Sequence, residues 1–190
     1  VCTDATSPYS CSFDTTGVAD GDYDFRATAT DVAGNQATST VTARRIDNTA
    51  PTATDIQTTN GGAILYHPDT GDTVTYTFSE PVQPTSILAG WDGSSTNTTV
   101  RLNNAGTDTM TVFDAANTTQ LPLGSTTIGT QYVTGNRRFT GSAMVMSGNT
   151  ITITLGTRAG GGVNTAAANV SMIWSPSATV TDLAGNPMST

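Results

Sequence analysis

A chain of 190 residues with a formal charge of −8, only 12% charged residues and 36% hydrophobic ones argues against two classes of partner. The acidic balance repels a phosphate backbone, and the seven basic residues are arginines scattered apart from the pairs Arg44/Arg45 and Arg137/Arg138, so no nucleic acid is expected to bind. No run approaches 18 apolar residues, so no membrane insertion is expected in this segment.

Threonine fills about 40 positions, roughly one in five, far above average usage. It is β-branched and suits pleated, half-exposed strands. With 19 glycines and 8 prolines as turn punctuation and no long apolar helical pattern, the chain reads as all-β with many short strands.

In chain order, Cys2 and Cys11 come first and are the only cysteines. Nine positions apart, they read as a disulfide closing a small loop, contributing about 2.7 kcal/mol by loop entropy. Two reduced thiols are the alternative. Two cysteines with one distant histidine make a poor zinc site. A disulfide places the chain in an oxidising, extracytoplasmic compartment.

From Asp20 to Pro51 the pattern is a hairpin. Phe25, Ala27 and Ala29 alternate, Asp31 to Asn35 turn, and Ala37, Ser39, Val41 and Ala43 return with a period of two. Ile46 to Thr52 then ends this segment, since Pro51 cannot continue a ladder. The expected division is 1–51 and 52–190.

The second segment opens with a strand over 54–58 and a polar loop. In 72–79, Val74, Tyr76 and Phe78 share one side while threonines take the other. Glu80 to Val82 stop this strand, and one helical turn capped by Thr85 follows. Further strands are expected over 98–102, 109–113, 138–146 and 150–155, the last two joined at Ser147-Gly148-Asn149. Residues 156–169 read as a long loop, and 170–174 and 177–181 as closing strands. The turn Asp-Val-Ala-Gly-Asn at 31–35 recurs as Asp-Leu-Ala-Gly-Asn at 182–186. In both, aspartate can accept backbone N–H bonds and glycine supplies a positive φ.

These residues carry a resemblance. Tyr23, two positions before Phe25 at a strand start, matches the tyrosine corner of immunoglobulin-like sandwiches, with Phe25 where antibody domains place a second cysteine. Residues 1–52 resemble the second half of a bacterial immunoglobulin-like repeat. Gly71 to Val82 and Thr181 to Pro187 are similar to the immunoglobulin-like domains of S-layer and related surface proteins. The resemblance implies tandem immunoglobulin-like β-sandwiches, the first incomplete at its N-terminus, because about 50 residues precede the linker where such a domain needs nearer 100. It also implies a structural spacer in a large bacterial extracellular or cell-surface protein, with neighbouring domains of the same polypeptide as partners. The absence of lysine excludes the lysine–asparagine isopeptide link of some similar domains. The alternatives are an adhesin domain binding carbohydrate or protein, and a subunit that self-assembles into an extracellular fibre completed by strand exchange.

No enzyme is expected: His67 has no nucleophile elbow beside it, the acidic residues form no paired-carboxylate pattern, and His67 reads as a surface residue. No cofactor is expected to be required. The candidate ion is calcium, which takes six to eight oxygen ligands, with Asp20, Asp22, Asp24, Asp31, Asp47 and Asn48 as candidate ligands. The alternative is that Asp31 and Asp182 hold turns and the other carboxylates are solvated, there being no EF-hand spacing. Trp91, in a polar Gly-Trp-Asp-Gly stretch, is the candidate platform for a sugar ring, whereas Trp174 reads as core. The threonine rows read as ordinary solvent-facing strand.

Overall fold

The structure, a computed structural model, describes residues 2–190. The chain divides into two compact units, Val1–Thr49 and Ala50–Thr190, two residues ahead of the expected boundary. Both are built from strands, and the protein is all-β. Among the described residues no helix is long and apolar enough to cross a membrane.

The first unit is a two-stranded antiparallel sheet, β1 (Gly21–Thr30) and β2 (Gln36–Ile46), preceded by an irregular segment that the Cys2–Cys11 disulfide closes across 6.1 Å between Cα atoms. Inside that loop the Asp4 carboxylate accepts the N–H groups of Thr6 and Ser10. Tyr23 pairs with Arg44 but Phe25 with Val41, so β2 has one residue too many between them. Ala43 absorbs the bulge at φ +51°, and its N–H donates to Asp24 at 3.0 Å. The Tyr23 hydroxyl donates to the Ala19 carbonyl at 2.7 Å, the bond that a tyrosine corner makes to backbone just upstream. Phe13 meets Phe25 edge to face at 6.2 Å, and both stay exposed, as two strands alone cannot enclose an apolar face.

The second unit is one antiparallel sheet. Its strands are β3 (Ala53–Thr59), β4 (Thr73–Phe78), β5 (Thr96–Asn103), β6 (Thr109–Asp114), β7 (Gln120–Thr127), β8 (Arg137–Ser147), β9 (Thr150–Thr154), β10 (Thr157–Ala159) and β11 (Ile173–Ser175). The order across the sheet is β11-β7-β6-β5-β8-β9-β4-β3, with β10 also on β8. β9 covers one half of β8 and β10 the other, so they act as one strand interrupted at Leu155–Gly156. There β8 carries Gly141 at φ +64°, and the β5–β8 register slips between Thr98 and Thr99. Such bulges bend strands. The sheet curls until its two edges, β3 and β11, meet, a sandwich closed nearly to a barrel.

Alternation dictates what fills it. Val74, Tyr76 and Phe78 of β4 point inward against Ile151 and Ile153 of β9, Met144 and Phe139 of β8, and Val100 and Leu102 of β5. Threonines of β4 and β9 take the outer face in register, Thr73 opposite Thr154, Thr75 opposite Thr152 and Thr77 opposite Thr150.

Four local expectations change. The helical turn α1 (Pro84–Ile87) is entered from Gln83, not capped by Thr85, because Pro84 takes the first helical position, where its missing N–H costs nothing. β7 is a strand that carries Pro122 and Gly124, residues that ordinarily interrupt one. It is tolerated because the β6–β7 register breaks between Thr111 and Phe113, so no regular ladder bond is asked of Pro122. The expected loop 156–169 contains β10. Residues 177–181 form no strand and make only an isolated bridge, Thr181 to Pro187.

Candidate functional site

The edge strands β3 and β11 leave a groove of about 940 Å³ along the seam of the second unit. Its floor is apolar, made by Val74, Leu102, Met110, Ile128 and Leu155. Trp174 forms part of one wall and β3 the other. The indole of Trp174 is held by donation from its Nε1 to the Leu123 carbonyl at 2.7 Å and by edge-to-face contacts with Tyr76 and Phe78, at 5.0 and 5.2 Å. Beneath it, burial pushes the Tyr76 phenol up to about 12. Tyr132, half-buried at the floor, is also pushed up by desolvation.

The rim of this groove is apolar and exposed, with Leu65 at 56% and Ile173 at 65%. Leu65 belongs to a loop organised by two carboxylates. Asp72 accepts the N–H groups of Gly61, Gly62 and Asp69, and Asp69 accepts those of Ala63 and Ile64. Gly62 is required here, since a Cβ on it would collide with the Asp69 carboxylate. The loop's last turn places Tyr66 at φ +60° and sets His67 against Thr165, 3.1 Å from Nδ1, and Arg158, 3.3 Å from Nε2.

Chemically, the groove offers an apolar trough bounded by two strand edges that have no further ladder partner among the described residues. That arrangement can accept an extended segment, whose backbone would pair with an edge while alternate side chains enter the trough. His67 faces a hydroxyl and a guanidinium, not an orienting carboxylate.

The expected metal ligands are not gathered. Asp20 and Asp31 lie at opposite ends of β1, roughly 35 Å apart by strand rise. Asp31 is occupied in its turn, accepting the backbone N–H of Asn35 at 2.8 Å and its side-chain amide at 2.7 Å. That amide, then the backbone bond, holds its pKa low. Asp20 accepts the Thr49 hydroxyl and the Asn48 N–H, and those two bonds in that order lower its pKa. Asp24 holds the β2 bulge, and Asp22 stands opposite Arg45 on the two strands. Asp47 pairs with Arg45 at 3.4 Å. The Asn48 amide donates to the carbonyls of Thr15 and Val18, both at 2.9 Å. Within the first unit, no three acidic, histidine or cysteine side chains among the described residues converge on one point. Of the six candidate ligands, Asp31 therefore stands at the far end of β1 from Asp20, and the six make turn, bulge and strand-end contacts in the first unit.

Trp91 is also corrected. It is 5% exposed, donates from Nε1 to the Ser94 carbonyl at 2.6 Å, and packs in the core, so its face is closed to a sugar. The surrounding polar residues belong to a turn in which Asp92 accepts from Ser94, which is why the stretch reads as a surface loop. Sequence reasoning missed the groove itself, because its walls come from the two ends of the second segment. It also missed Asp108, fully buried, whose carboxylate accepts the N–H groups of Ala105 and Val133.

Comparison with known protein families, with curated proteins and with solved structures finds no match for this chain.

Proposed function

We propose that this chain is a structural segment of a large bacterial extracellular or cell-surface protein, built of tandem immunoglobulin-like modules that space or display other domains. The observation that carries the reading is the turn built twice. Asp31 and Asp182 each take the backbone N–H and side-chain amide of the asparagine four residues on, with Gly34 and Gly185 at φ +88° and +97°. A local device repeated in two successive units is what a chain of tandem modules built on one plan would carry. The Tyr23 corner and the disulfide support the same reading, the latter by requiring an oxidising compartment.

The test is the location of the protein on intact producing cells. Antibody raised against the second unit should label unpermeabilised cells, and labelling only after permeabilisation would overturn the reading.

The groove between β3 and β11 favours a second reading, an adhesin domain that takes an extended protein segment by strand addition. Substituting Ile173 and Leu65 by glutamate should then abolish adhesion by producing cells, whereas a pure spacer keeps whatever adhesion its neighbouring domains confer.

A further inference from the structure

The second unit contains four arginines, and three of them, Arg101, Arg137 and Arg138, line one shallow depression of about 420 Å³. Arg101 on β5 and Arg138 on β8 are direct cross-strand partners. Like charges placed so are destabilising, and nothing of opposite sign offsets them. Among the described residues no carboxylate oxygen lies within 4.0 Å of any of the three, in a chain whose net charge is −8.

Two of the guanidinium groups are held rigid by neutral partners. Arg101 lies over the Phe113 ring, 3.5 Å from its centroid, and donates to the side-chain and backbone oxygens of Asn117, both at 2.7 Å. Its Nη1 group is left over. Arg137 lies along a glycine run, donating from Nε to the Gly162 carbonyl at 3.1 Å and from Nη1 to the carbonyls of Gly135 and Asn136. Its Nη2 group is left over. A Cβ on Gly161 would come within 2.7 Å of that Nη2, so the glycines make room for the guanidinium. Arg138 is exposed. The remaining polar lining is asparagine: Asn103, Asn117 and Asn136. The oxygen of Asn136 is committed to the Asn104 N–H and that of Asn117 to Arg101, so both amides present donors.

We propose that this depression is a binding subsite for a carboxylate or sulfate borne on a sugar, a residue of an acidic glycan. Guanidinium N–H groups match planar and tetrahedral oxyanions: Arg138 keeps its whole fork, while Arg101 and Arg137, anchored on neutral oxygens, each keep one Nη group that loses less freedom on binding. The amide donors suit ring hydroxyls. The size falls within the range of small-molecule sites, and the lack of an apolar floor disfavours a protein side. The overall negative charge of the chain repels a long polyanion, so the ligand is a short acidic stretch.

The experiment is calorimetric titration of the whole chain with galacturonate, galactose 6-sulfate, galactose and inorganic sulfate. Saturable binding of a sugar acid is expected, weakening with added salt, with no response to galactose. Arg138→Gln, an exposed position with no side-chain bond among the described residues, should weaken binding by about tenfold or more and leave the thermal melt unchanged or slightly raised, since it removes the like charge opposite Arg101. Arg101→Lys keeps the charge but loses the Asn117 anchor and the left-over Nη1 donor, and should also weaken it. Binding of inorganic sulfate but neither sugar acid, equal binding of galactose, or undiminished affinity in Arg138→Gln overturns the proposal.

Discussion

The carboxylate of Asp182 is clamped by Asn186: one oxygen accepts the Asn186 N–H and the other its side-chain amide, both at 2.8 Å. The same first oxygen also accepts the N–H groups of Ala184 and Gly185, and Asp182 is only 2% exposed. Removing the acceptor leaves three backbone N–H groups of a partly buried turn without their partner, so Asp182→Ala should destabilise the second unit by about 1–3 kcal/mol. Asp182→Asn keeps one acceptor oxygen and should cost less. Urea denaturation followed by circular dichroism measures both, and equal losses would show that the acceptor is not what matters.

Trp91 tests the core. Replacing it by alanine removes a buried indole and should cost about 3–5 kcal/mol. In the intact chain an aqueous quencher should reach it poorly. Strong collisional quenching of both tryptophans in Trp174 and Trp91 single-tryptophan variants would contradict its placement.

Acid should destabilise the fold. Asp14, Asp92 and Asp114 have pKa values held low, Asp114 first by the Thr118 N–H and then by the Thr118 hydroxyl, Asp92 first by the Ser94 hydroxyl, and Asp14 first by the Thr16 N–H. A depressed folded pKa contributes stability above the unfolded value, near 3.9, that is lost as pH falls through the folded one. The melting temperature should hold from neutral pH to about pH 5 and drop below about pH 4. Asp114→Asn should make that drop shallower.

Alkali acts through Tyr76. Its folded pKa of about 12 lies above the unfolded value near 10, so its contribution is complete below pH 10 and disappears as pH rises through 12. Tyr76→Phe should remove this part of the alkaline loss in a series of melts at increasing pH. An identical alkaline limb in the variant would assign the loss to other groups.

Much of the strand content was legible because its signal is local. Val74, Tyr76 and Phe78 alternate with threonines, and a period of two needs no knowledge of the partner strand. The Asp31 and Asp182 turns were legible for the same reason, since donor and acceptor lie within five residues. β7 was not, because Pro122 and Gly124 violate local rules that the broken β6–β7 register makes irrelevant. Nor was Trp91, whose polar neighbours face outward in a turn while its ring packs on residues distant in sequence.

By itself, then, the sequence determined an all-β chain, its hairpin, its disulfide and its paired aspartate turns, through alternation and short-range hydrogen bonding. Only the tertiary structure decided that Asp20 and Asp31 stand apart at opposite ends of a strand, and that β3 meets β11 over an apolar groove. It also decided that Arg101 and Arg138, 37 positions apart in the chain, are cross-strand partners. The reason is that strand order and register are set by how one curled sheet fills its interior, a condition that couples residues far apart and leaves no periodic trace in the sequence.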